Sequence, residues 1–184
     1  MTKYYPEGVL INTVENKNAL KTIYAMQESM MQGKILEARA IICDNDHNLY
    51  VDLPCIKGII PRIEGAIGID DGTTRDIALI AKVNKPVCFK ITEITKDSNN
   101  QPIAILSRKI VQEECMSEYI SKLTPGDIIP AKVTHLEQFG CFVDVACGIP
   151  SLIPIDAISI SRISHPSDRF STGQDIKVIQ LIDS

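Results

Sequence analysis

Phe139-Gly140-Cys141-Phe142-Val143-Asp144 sets two aromatic rings three residues apart around a glycine, where the chain reads as the bend between two strands. In a regular strand, residues three apart face opposite sides. Gly140 tolerates positive φ, and a kink there would turn both rings to one side. Two open rings on one side of a small β-barrel form a stacking platform for nucleic-acid bases, which all have a π-face. Two rings in the core would be ordinary phenylalanines. The hexapeptide alone leaves both readings open.

The segment and its flanks recur within the chain. Gln32-Gly33-Lys34-Ile35-Leu36-Glu37-Ala38-Arg39-Ala40 lines up with Pro125-Gly126-Asp127-Ile128-Ile129-Pro130-Ala131-Lys132-Val133. His47-Asn48-Leu49-Tyr50-Val51-Asp52-Leu53 aligns with Phe139 to Val145, and Lys57-Gly58-Ile59-Ile60-Pro61 answers Pro150-Ser151-Leu152-Ile153-Pro154. Cys88 to Thr92 matches Asp175 to Ile179. The order is kept and the offsets change only in loops, where length costs little. The first copy has a further strand over Pro102–Ser107, reached through the Asn- and Asp-rich turn Lys96–Asn100.

The second copy resembles the S1-domain family, the OB-type RNA-binding repeat of bacterial ribosomal protein S1. The resemblance runs through Pro125-Gly126-Asp127, Ala131 to Thr134 and the aromatic stretch. It continues in Gly148 to Pro154, His165 to Phe170 and Gly173 to Val178, ending at Leu181-Ile182-Asp183. It implies two tandem five-stranded Greek-key barrels of the OB kind, and the ending Leu106-Ser107-Arg108-Lys109 of the first copy resembles the family's closing strand. The expected division is a helical segment 1–32, a degenerate first barrel 33–111, a helical linker 112–124 and a second barrel 125–184 that lacks its last strand. The implied function is binding of single-stranded RNA, with Phe139 and Phe142 stacking on unpaired bases. The alternation of Ile129, Ala131 and Val133 leaves Lys132 facing outward, where it would meet phosphate. Arg162 adds a second cation, and Asp183 matches the family's acid at the end of the fourth strand.

Two departures stand out. Pro154 occupies the place where the family carries a histidine, and the chain stops at Ser184, before a fifth strand. An unclosed second barrel is expected to leave its first strand unpaired, an edge that invites weak dimerisation. In the first copy His47, Asn48 and Tyr50 replace Phe139, Gly140 and Phe142; His47, Tyr50 and Arg39 make at most a weak second site.

Ahead of the first barrel, Asn12–Gln32 reads as one helix with Leu20, Ile23, Tyr24, Met30 and Met31 on its apolar face, packed on that barrel. Gln112–Lys122 reads as a short connecting helix ended by Thr124-Pro125-Gly126.

Composition narrows the rest. The 184 residues are 45 % hydrophobic but only 5 % aromatic, so the cores must be aliphatic. A net charge of −4 opposes simple polyanion binding and confines any basic patch to Lys132, Arg162, Arg169 and Lys177. The six cysteines show no C-x-x-C pair, so no zinc site is expected and reduced thiols are. Gly65 to Gly72 lacks both the dinucleotide and the P-loop spacing and reads as a long loop. The three histidines form no catalytic pattern. The chain is therefore expected to be cytoplasmic, non-enzymatic and free of cofactors. Single-stranded RNA and translation proteins are its expected partners. Two alternatives stay open: a docking module on the ribosome, or an accessory domain of an RNA-processing enzyme.

Overall fold

The computed structural model describes residues 3–158 and 162–179. It divides into two units, Glu7–Glu114 and Met1–Pro6 with Cys115–Ser184.

The first unit opens with α1 (Val14–Leu20) and α2 (Ile23–Met31). The single helix expected over Asn12–Gln32 is thus two. Thr22 is extended (φ −135°, ψ 161°), and its hydroxyl accepts the amide of Ala25 at 3.0 Å. A threonine that caps the following turn ends the preceding one. The apolar face is also redrawn: Ala19, Leu20 and Met26 enter the barrel core, whereas Tyr24 and Met31 are exposed.

Five strands follow: β1 (Leu36–Cys43), β2 (Leu49–Val51), β3 (Lys57–Ile60), β4 (Pro86–Lys96) and β5 (Pro102–Ser107). They close in the order β1-β2-β3-β5-β4, with β3 and β5 parallel. Leu36, Ala40, Leu49, Ile60, Val87, Phe89 and Leu106 fill the interior. Gly65–Gly72 lies in the long β3–β4 connection, which also carries the short helix α3 (Ile77–Ile80).

Beside this core sits a buried ionic cluster. Arg108 grips the Glu7 carboxylate with Nε and Nη2, at 2.9 and 2.7 Å; Lys82 adds a third contact at 3.0 Å. Burial pushes the Glu7 carboxyl up, but these two cations prevail and hold it well below the usual carboxylate range. Glu37, also buried, accepts the amides of Gly8 and Ile11 at 2.8 and 3.2 Å. Burial, helped by the nearby Glu7 charge and resisted by those amides, pushes its pKa up to about 7.

Helix α4 (Arg108–Glu118) starts directly after β5. Arg108 and Lys109 therefore begin a helix and do not prolong the strand. The connecting helix sits about one turn earlier than its expected span, and a 3₁₀ turn covers Ile120–Lys122.

The second unit holds β6 (Ile128–Glu137), β7 (Gly140–Ala146), β8 (Ile149–Pro154) and β9 (Asp175–Ile179) in the sheet order β8-β7-β6-β9. Ile129, Ala131, Val133, Cys141, Val143 and Val145 form its core, with Tyr119, Leu123 and Phe170 packed against them. The expectation of an unpaired first strand does not hold, because β6 pairs with both β7 and β9. The first barrel gives the reason: there the fifth strand lies between the third and the fourth. Among the described residues the outer strands of the second sheet are accordingly β8 and β9.

Candidate nucleic-acid interface

Strand β6 turns into β7 through a two-residue loop, Gln138-Phe139, with Glu137 paired to Gly140. Phe139 lies outside the strands, so the alternation rule does not bind it, and it is 56 % exposed. Phe142 stands half-buried on β7, its ring centroid 6.1 Å from that of Phe139 and at 90° to it. Edge-to-face packing of this kind is a favoured geometry for two rings.

Gly140 does not act as expected. It is absent from the positive-φ residues. A Cβ there would lie 2.5 Å from the Ile153 carbonyl oxygen and 3.0 Å from Leu152 Cδ1, so the glycine is required for close approach of β8.

A bulge between Val133 and His135 reshapes the sheet face. The extra residue, Thr134, donates its hydroxyl to the Phe142 carbonyl at 3.2 Å. Plain alternation from Val133 would turn His135 inward; the bulge shifts the parity and pairs His135 with Phe142 on the outer face. The two rings stack at 6.2 Å and 29°. Across β7 the register sets Leu152, 43 % exposed, beside Phe142. His135, Phe142 and Leu152 form a row over three strands, with Phe139 at its rim. His135 is not legible as a site residue from the sequence, because nothing in Val133-Thr134-His135 marks a bulge.

Lys132 lies on the same outer face, since its register partners are Asp144 and Asp175. Its ammonium is 3.9 Å from the Asp175 carboxylate, which tempers its charge. Lys177, exposed and paired with Pro130, adds a cation to this face. Arg162 is exposed in the β8–β9 connection, off the sheet and outside the register that joins the rings. Asp183 lies outside the described residues. Pro154 pairs with Gly140, its Cα only 3.2 Å from where a Cβ would stand.

The first unit repeats this backbone with other contents. A bulge between Ala40 and Ile42 sets Ile42 opposite Tyr50, and Ile59 follows on β3. His47 adopts φ 64° and turns to Asp76, 3.4 Å away. Tyr50 is covered by the Lys57 ammonium at 4.8 Å. Arg39 is exposed on β1, opposite Pro86. The three first-copy candidates are thus not drawn into one ring cluster. Instead Ile41, Ile42, Leu53, Pro54 and Ile56 help line an apolar groove of about 550 Å³.

Residues 122–179 match the family model described as the S1 RNA binding domain. The second module is an S1 domain. Over most of its own length the chain is also similar to curated proteins. It is 35 % identical over 169 residues to the small ribosomal subunit protein bS1 of Staphylococcus aureus strain COL, covering 89 % of the chain and 40 % of that protein. A bS1 homolog of Bacillus cereus is 30 % identical over 177 residues (94 % and 43 %). The bS1 of Mycobacterium tuberculosis is 28 % identical over 187 residues (97 % and 35 %). The chain thus spans well under half the length of these relatives. Among the described residues no helix is long and apolar enough to cross a membrane, and no group of acidic, cysteine and histidine side chains could hold a metal ion.

Proposed function

We propose that the chain binds single-stranded RNA through its S1 domain, as a non-catalytic cytoplasmic component of translation. Unpaired bases stack on Phe139 and Phe142, extended by His135, while Lys132 and Lys177 meet the phosphates. The observation that carries this reading is the exposed ring cluster on the outer sheet face. Its position within a domain matched to an RNA-binding family, in a chain similar to ribosomal proteins, supports it. With a net charge of −4, stacking has to supply more of the affinity than charge does. Fluorescence anisotropy with labelled hexauridine tests it. Phe139→Ala and Phe142→Ala should each weaken binding, and the matching DNA should bind less tightly because it lacks the 2′-hydroxyls. Unchanged affinity in both variants would refute the site.

The first barrel favours a second role, docking to a protein. At the register positions of His135 and Leu152 it carries Ile42 and Ile59, beside the apolar groove.

A further inference from the structure

Resting on the stacking reading, we propose that Glu137, held by His135, reads the edge of the stacked base and gives the S1 domain a preference for guanine. Glu137 closes β6 opposite Gly140, on the same outer face as the pair His135–Phe142, two residues along the strand. Its side chain is 43 % exposed, and Oε1 lies 2.5 Å from His135 Nε2. A carboxylate accepts only, so the imidazole donates, and the remaining lone pairs stay available at the rim of the ring cluster. His135 is in turn stacked on Phe142. The carboxylate is therefore fixed by a group that belongs to the platform itself.

A negative charge at this place disfavours the phosphate chain of any RNA. It becomes favourable when it meets base donors that a carboxylate can satisfy. Guanine alone among the four bases carries two adjacent donors, N1–H and the N2 amino group, on its pairing edge. Adenine and cytosine each set one amino group beside an acceptor ring nitrogen, and uracil sets one N–H between two carbonyls. Single-stranded bases expose this edge while they stack. A carboxylate thus discriminates for guanine and against uracil.

The test uses the full chain and five labelled hexanucleotides at constant salt: UUUUUU, UUAAUU, UUCCUU, UUGGUU and the same with inosine for guanosine. UUGGUU should bind about five- to tenfold tighter than UUUUUU. Inosine, which lacks the amino group, should lose most of that gain. In Glu137→Gln the charge is gone, so UUUUUU should bind more tightly while UUGGUU weakens and the preference falls to within about twofold. The same base order in wild type and Glu137→Gln, or no advantage of guanosine over inosine, would overturn the proposal. Failure of the stacking reading looks different: Phe142→Ala would then leave the affinity for all five hexamers unchanged.

Discussion

The two modules share a backbone device and use it differently. Each first strand carries one bulge at the same register, Ala40-Ile41-Ile42 in one and Val133-Thr134-His135 in the other. Each bulge brings a side chain out beside the ring of the second strand. In the second module that side chain is an imidazole stacked on phenylalanine; in the first it is isoleucine opposite a tyrosine already covered by Lys57. The hairpin loops differ too. The first runs Asn45-Asp46-His47 between Asp44 and Asn48, where the second has only Gln138-Phe139. The extra residue takes His47 into left-handed geometry and toward Asp76, so the rim position of Phe139 has no aromatic counterpart in contact with Tyr50. A repeated backbone therefore carries over the shape of a sheet face, while one loop residue and a few side chains decide whether rings gather on it.

The largest effect that separates the modules is structural. Only the first, among the described residues, buries the Glu7–Arg108 pair. Arg108→Ala should destabilise that barrel by about 3–5 kcal/mol by leaving a buried carboxylate without its main partner. Amide exchange of Leu36–Cys43 should speed up while that of Gly140–Ala146 stays put; equal acceleration in both would break the comparison.

Glu37 gives the first module its own pH response. Its folded pKa of about 7 exceeds the usual value of 4.5, so between those values the folded state holds a proton that the unfolded state has lost. Stability should fall by roughly 2–3 kcal/mol from pH 5 to pH 8 and level off above. Glu7 runs the other way: its stabilising contribution, fully present above pH 4.5, is lost only in more acid solution. Glu37→Gln, which still accepts the two amides, should flatten the pH 5–8 slope in urea titrations. A slope retained by that variant would place its origin elsewhere.

On the RNA side, Phe142→Ala should cost about 1–3 kcal/mol of binding, and Tyr50→Ala less than about 0.5 kcal/mol, the scale of an ordinary surface change. Equal losses would erase the functional distinction between the barrels. The smallest contrast between the modules lies at the two hairpins. Gly140→Ala must push β8 away from its Ile153 carbonyl contact, at a cost of about 1–2 kcal/mol. Asn48, at the matching place, already carries a side chain that accepts the Arg62 amide at 2.9 Å. Asn48→Ala should therefore cost about 1 kcal/mol through the lost hydrogen bonds. Thermal melts rank the pair, and the reverse ranking would mean that the glycine is not sterically required.

Much of the fold was legible because strands announce themselves by composition and spacing. Pro102–Ser107 was readable except at its end, where Arg108 and Lys109 start a helix, and the tandem repeat placed the other strands. What escaped depends on contacts remote in sequence or on breaks in periodicity. The bulge that exposes His135 has no local signature. Thr22 looks like any helical threonine until its hydroxyl is seen capping the next turn. The grip of Arg108 on Glu7 joins residues 101 positions apart. At the candidate site the two rings were legible as residues, but their spacing pointed them to opposite faces, and they meet because Phe139 sits in the loop. The need for Gly140 was not legible, because its constraint comes from the neighbouring strand.

The most direct test is chemical-shift mapping of the full chain titrated with hexauridine. The amides of His135, Phe139, Gly140 and Phe142 should move, while those of Ile42, His47 and Tyr50 should stay in place. Shifts concentrated on β1 and β2, with the β6–β7 hairpin silent, would contradict stacking on the second module.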